Sequence, residues 1–244
     1  TTIVDAGSAG WANFRGLLDY VMAPSRTQIL AFVHVSGIGL TYGPLGELLD
    51  LRYADPERTA MVIRNWPDRC VGVKIRAGAP QLGEHGVKAI RLALRAAELS
   101  GTPLMAHMGQ EFPLPDVLNE LRAGDIATHC FHQKGDTILG DEEKVIPAAR
   151  EARKRGVLFD LGHGGGSFTF AVAKQALAQG FPSDVISTDL HTGSLDDPVH
   201  SLPETASKML HLGMGLEEVV RQTTAAPANA ICRGDELGTL KVGT

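Results

Sequence analysis

Aromatic residues make up only 5% of this sequence, and neither sign of charge dominates it. The 23 Lys and Arg against 28 Asp and Glu give a formal net charge of −5, so no basic surface argues for nucleic acid. No stretch approaches the ~20 consecutive apolar residues of a bilayer span, so no membrane partner is expected. Cysteine is scarce and odd in number. Cys70, Cys130 and Cys232 lie far apart, which argues against a disulfide framework and for a reducing, cytoplasmic compartment. No signal-peptide pattern, low-complexity segment or interdomain linker is visible. The glycine run Gly164-Gly-Gly166 is not a P-loop, because no Gly-Lys-Ser/Thr follows it.

What is present is a regular alternation of strand and helix. The 244 residues suit one (β/α)₈ barrel or another large α/β domain. Short apolar runs at Ile3-Val4, 28–36, 71–76, 104–107, 126–129, 157–161 and 185–189 read as strands. Helical spacing fills 11–22, 83–100, 115–122, 141–155, 168–179, 202–212 and 216–224, with another helix starting at Asp55-Pro56. Asp55 serves there as the cap and Pro56 as the first-turn residue. Ser201 with Glu204 fits a capping box, while Gly101, Gly124 and Gly156 act as stops.

Seven strands, each followed by a helix, imply parallel strands. The expected fold class is α/β, a (β/α)₈ TIM barrel of metal-dependent hydrolase type with its first strand missing from this chain. Residues 1–244 would then be a single barrel domain. A doubly wound open sheet is the competing fold. The barrel is favoured because it gathers all its C-terminal strand ends around one mouth. Both ends read as cut from a longer polypeptide, since Thr1 is not Met and Thr2-Ile-Val-Asp5 already looks like a strand.

Four strand ends carry chemistry. Val71-Gly-Val-Lys-Ile-Arg76 delivers Lys74, Leu104-Met-Ala-His107 delivers His107, Ile126-Ala-Thr-His129 delivers His129, and Val185-Ile-Ser-Thr-Asp189 delivers Asp189. Strand alternation puts Gly72 and Lys74 on one face and Val71, Val73 and Ile75 on the other. A buried lysine without a partner is costly, so Lys74 is a surface residue, a Schiff-base nucleophile, or a lysine carbamylated by CO₂ to bridge two metals. Two strand-end histidines one unit apart favour metal over a hydrogen-bonded core role. In their company Asp189 reads as a ligand and as a base for water. Further residues are expected at a substrate. Arg76 could bind a carboxylate or sit in a solvated salt bridge. His163 and Gly164 lie in a glycine loop at a strand end, the glycines offering N–H groups to an anion. His191, like His132, follows a proposed ligand closely and could support it. His34 is expected to have an internal partner, and His85, His200 and His211 to lie at the surface.

These strand ends follow the ligand order of the amidohydrolase superfamily: lysine at strand four, histidine at five and six, aspartate at eight. Val4-Asp-Ala-Gly-Ser-Ala-Gly10, Gly72-Val-Lys-Ile-Arg76, Ala106-His-Met-Gly109, Thr128-His-Cys-Phe131, Phe159-Asp-Leu-Gly-His-Gly164 and Ser187-Thr-Asp-Leu-His191 resemble its dihydroorotase-like amidohydrolase/deacetylase branch. The resemblance implies two divalent metal ions, usually Zn²⁺, bridged by carboxylated Lys74. His107 and His129 would hold one metal. Asp189 would touch the other, take a proton from the bridging water and return it to the leaving group. The implied substrate is a small acylated amide or ester such as an N-acyl amino acid. A cyclic amide of the dihydroorotase type, a Schiff-base lyase and a metal-free structural homologue are the alternatives. A homo-oligomer with a small-molecule substrate is expected. One departure stands out: the His-X-His that ends the family's first strand occurs nowhere in this sequence. The family's small β-sandwich domain is also missing. Both absences agree with the barrel portion of a longer polypeptide. Specificity is expected in the loops 37–55, 131–140 and 162–166.

Overall fold

The computed structural model describes residues 1–109 and 111–241. The chain divides into two compact units, Thr1–Leu121 and Arg122–Thr244. Among the described residues no helix is long and apolar enough to cross a membrane.

The first unit is built on four parallel strands: β1 (Thr2–Asp5), β2 (Gln28–His34), β3 (Cys70–Ala77) and β4 (Leu104–Met108). Each pairs with the next in chain order. Parallel neighbours need crossover connections. These are supplied by α1 (Phe14–Leu17) with its π-helical continuation Leu18–Met22, by α2 (Pro56–Asn65), and by α3 (Ala79–Leu82) with α4 (Val87–Ser100). The unit ends in α5 (Leu114–Glu120). Strand order that follows chain order, with no reversal, is the pattern of a barrel wall; a doubly wound sheet reverses at a switch point.

Helix α4 packs on β3 and on α2. It buries Ala89, Ile90, Ala93, Leu94, Ala96 and Ala97, an apolar stripe at the three- and four-residue spacing of one helix face. Facing it, Val73, Ile75 and Ala77 are fully buried. Gly101, left-handed at φ 67°, ends the helix, and Thr102 N–H closes onto Ala97 O. The helix expected over 83–100 begins late because Gly83 and Gly86 adopt φ of 54° and 49°, which no α-helix accommodates. At α2, Asp55 Oδ1 accepts from Arg58 N at 2.9 Å and Pro56 opens the first turn, as expected.

The second unit carries the parallel pair β5 (Ile126–Thr128) and β6 (Leu158–Asp160). Its helices are α6 (Pro147–Arg155), α7 (Phe170–Ala178), α8 (Leu202–His211), α9 (Leu216–Thr223) and α10 (Ala225–Ala230). The seventh expected strand, 185–189, forms a single parallel bridge, Asp160 to Val185. It is nonetheless in register with the chain beyond β6: Leu161 N, His163 N and Gly164 N donate to Val185 O, Ser187 O and Thr188 O at 3.0, 3.1 and 2.9 Å. Helix α6 starts six residues later than the sequence suggested. Ile146 is extended, as a residue before proline prefers, and Leu139 bridges Val145 in antiparallel fashion. Ser201 caps α8 by accepting from Glu204 N at 3.3 Å. The core includes Phe159 edge-on to Phe181 at 4.9 Å, with the Arg153 guanidinium 3.7 Å from the centre of the Phe181 ring. Asp184 then ties to β6 through Phe159 N at 2.8 Å. Both units repeat the strand–helix–strand order of a (β/α) barrel.

Candidate functional site

In the first unit the chemistry collects on one face of the sheet. The register sets His34 beside Lys74, Lys74 beside Met105 and Arg76 beside His107. Paired residues of parallel strands share a face, so His34, Lys74, Arg76 and His107 all belong to the same one. Lys74 is only 4% exposed, and His107 is half-buried. The loop after β1 lies directly on the lysine. A Cβ added to Gly7 would stand 2.4 Å from Lys74 Cγ and 2.5 Å from its Cβ. The turn is set by Asp5, whose Oδ1 accepts from Gly7 N and Ser8 N at 3.0 and 2.8 Å.

Arg76 was expected to meet a substrate carboxylate or to sit in a solvated salt bridge. It is paired instead with Glu47 from the long loop after β2. Arg76 Nε donates to Oε1 at 2.7 Å and one Nη to Oε2 at 2.6 Å, and the same Nη donates to Gly43 O at 3.0 Å. The pair is sheltered, with Glu47 3% and Arg76 18% exposed. His34 completes the cluster, its Nε2 lying 3.1 Å from Glu47 Oε1 and its Nδ1 accepting from Ser36 N. Burial pushes the Glu47 carboxyl up, but hydrogen bonds from Arg76 and then His34 outweigh it and hold it at about 2. Burial lowers the pKa of His34.

In the second unit His129 ends β5 and is 3% exposed. Its Nδ1 donates to Gly162 O at 2.6 Å. A carbonyl can only accept, so Nδ1 carries a proton, and it is the neutral ring protonated there that ligates metals through Nε2. Asp189, exposed, lies against Gly164, where an added Cβ would come within 2.5 Å of Asp189 Oδ2. His129 and Asp189 both adopt left-handed backbone, with φ of 73° and 45°. Non-glycine residues held there cost about 1–3 kcal/mol and cluster at functional sites.

His163, expected at a substrate, has both ring nitrogens engaged by the chain. Nδ1 lies 2.9 Å from Gly164 O and Nε2 2.9 Å from Lys208 Nζ. Its ring stacks on Phe168 with centroids 4.7 Å apart, and burial lowers its pKa. Gly164 N, proposed for an anion, donates to Thr188 O. His191 is exposed, and its Nδ1 accepts from Gly193 N at 3.1 Å. His132 is buried, with Nδ1 accepting from Lys134 N. Three residues that sequence reasoning did not single out take part: Glu47, Lys208 and Asp160. The last is buried and accepts from Thr128 Oγ1 at 2.6 Å and Ser187 Oγ at 2.9 Å. Burial, and then the Asp160 carboxylate, raise the Cys130 thiol well above its ordinary value, so it stays protonated and inert. Among the described residues no group of three or more His, Cys, Asp or Glu is arranged to hold a metal ion.

No family model matches the sequence. The whole chain aligns at 40% identity over 245 residues with a deacetylase of Agrobacterium fabrum and spans 60% of that relative's length. Among solved structures, one of an adenine deaminase superposes over the whole chain with a TM-score of 0.94 at 32% identity, the chain covering 66% of it. One of a dihydroorotase superposes over 98% of the chain with a TM-score of 0.89 at 38% identity, and 64% of that structure is covered.

Proposed function

This chain belongs to the amidohydrolase superfamily, and on that premise we propose that it is the barrel portion of a metal-dependent hydrolase. The proposed reaction removes an acyl group from a small amide or ester, such as an N-acyl amino acid. The name deacetylase, carried by three relatives, supports acyl transfer to water. The rest of the whole protein would complete an eight-stranded barrel and supply further ligands. The enzyme is proposed to be cytoplasmic and homo-oligomeric.

One observation carries the reading: His129, in its metal-ligating tautomer, and the Asp189 carboxylate end neighbouring segments in strained backbone, on either side of Gly162-His-Gly164. An imidazole and a carboxylate are the donors that Zn²⁺ takes. In the proposal the residues that hold divalent cations would be Lys74, carboxylated on Nζ by CO₂, and His107 in the first unit, and His129 and Asp189 in the second. Bound divalent cations would supply acidification of a water and polarisation of the substrate carbonyl. Asp189 would accept a proton from the water whose oxygen bonds to the substrate's carbonyl carbon, and would return it to the departing nitrogen or oxygen as the C–N or C–O bond breaks. Arg76 and Glu47 hold the long loop to the strand that carries Lys74. A cyclic amide is the second candidate substrate, favoured by the 38% identity to the dihydroorotase structure.

The test is metal analysis of the whole protein purified from metal-replete cells, followed by assay against N-acetyl amino acids and cyclic amides. About two divalent ions per chain are expected, with cleavage lost on chelation. Protein that holds no metal after such growth would remove the reading. Turnover of cyclic amides alone would replace the first substrate class with the second.

A further inference from the structure

The tripeptide Gly162-His163-Gly164 touches both strand-end residues of the second unit without slack. Gly162 O takes the Nδ1 proton of His129 at 2.6 Å. A Cβ on Gly162 would stand 2.8 Å from that Nδ1 and 2.3 Å from Thr128 Oγ1. A Cβ on Gly164 would meet Asp189 Oδ2 at 2.5 Å. A shift of a few tenths of an ångström in this backbone therefore moves an imidazole and a carboxylate together.

Both flanking glycines have positive φ, 49° and 51°, and neither has a side chain to anchor it. Backbone bonds from His163 N and Gly164 N to Ser187 O and Thr188 O hold one edge of the tripeptide, and the side-chain anchor is the residue between the two glycines. His163 is 3% exposed and stacked on Phe168. An ammonium can only donate, so Lys208 Nζ donates to His163 Nε2 at 2.9 Å. The ring proton must then sit on Nδ1, which donates to Gly164 O at 2.9 Å. A single line of donors thus runs from helix α8 into the tripeptide. Lys208 is itself steadied by Pro198 O at 2.5 Å.

We propose that Lys208 is a positioning residue: by holding His163 from α8 it fixes Gly162-His163-Gly164, and through that tripeptide the metal-facing nitrogen of His129 and the carboxylate of Asp189. This rests on the reading of His129 and Asp189 as metal ligands. It also reassigns His163, whose ring nitrogens are both spent within the chain, from substrate contact to backbone anchor.

The test uses the whole protein and Co²⁺ as the probe. Residues that orient metal ligands are worth about 10–100-fold in metal affinity. Lys208→Met should weaken Co²⁺ binding, measured by chelator competition, by about 10–100-fold, and should alter the visible absorption of the cobalt-loaded protein. Lys208→Arg, which keeps a cationic donor, should recover most of both. Circular dichroism of the metal-free variant should remain native, separating this effect from misfolding. If Lys208→Met does not fold, His163→Phe keeps the stack on Phe168, removes both ring nitrogens, and should show the same loss. Wild-type affinity and spectrum in whichever variant folds overturn the positioning role and leave the hydrolase reading intact. A wild-type protein that binds no Co²⁺ overturns both.

Discussion

Two buried histidines, one in each unit, are held in opposite tautomers. Ser36 N donates to His34 Nδ1, so Nε2 carries the proton to Glu47. Lys208 donates to His163 Nε2, so Nδ1 carries the proton to Gly164 O. Burial favours the neutral form of both rings. They differ in what stands behind them. His34 serves a carboxylate that is also bound by Arg76, so the cluster contains an ion pair sheltered from water. His163 serves a backbone carbonyl. Damage to the first cluster strands a charge and should appear as lost stability. Damage to the second displaces a loop and should appear in what the loop touches.

The largest effect should come from the strand neighbour of His34. Lys74→Ala should abolish hydrolysis, and short carboxylic acids should restore part of it by standing in for the carbamate. Unchanged turnover would separate Lys74 from the chemistry. Next, Glu47→Leu should destabilise the protein by about 3–5 kcal/mol in urea unfolding, because Arg76 is left in a sheltered site without its partner. Lys208→Met breaks hydrogen bonds without stranding a carboxylate, and about 1–3 kcal/mol is expected. Similar losses from the two substitutions would erase the contrast.

Acid sharpens it further. The Glu47 carboxyl falls from 4.5 to about 2 on folding. Its stabilisation is complete above 4.5 and is lost as pH drops through about 2, amounting to about 3 kcal/mol. His34, lowered from 6.5, acts in the same direction, since the unfolded ring takes a proton first as pH falls below 6.5. Stability measured against pH should therefore decline on acidification, and Glu47→Leu should flatten the part below 4.5. A variant that keeps the full slope there would remove Glu47 as its source. The smallest effects belong to the helix caps. Asp55→Ala and Ser201→Ala should each cost about 1 kcal/mol, one in each unit, and calibrate the larger losses.

Features that depend on a few adjacent residues were legible in the sequence. Asp55-Pro56 and Ser201 with Glu204 start helices where expected, and Gly101 and Gly156 end them. Six of the seven expected strands formed where short apolar runs placed them, whereas 185–189 made only a single bridge, Asp160 to Val185. Apolar spacing could not reveal the π-helical turn at Leu18–Met22, since the same residues suit a plain α-helix. The charged run ahead of Pro147 looked helical until Ile146 turned out extended, which the following proline could have signalled. Around the site, the strand-end residues stood out by position, but their partners did not. Glu47 lies 29 residues from Arg76, and Lys208 lies 45 from His163. No local pattern links such pairs. The sequence also invited Arg76 and His163 to reach outward, whereas tertiary packing gave each an internal partner.

Gly7 carries no reactive group, yet its backbone is pressed against the stem of Lys74. Any larger side chain there would evict the lysine while leaving it in the sequence. In a mutational screen position 7 would share the phenotype of position 74. Added carboxylic acids would tell the two apart, because an evicted lysine vacates no space for them to fill.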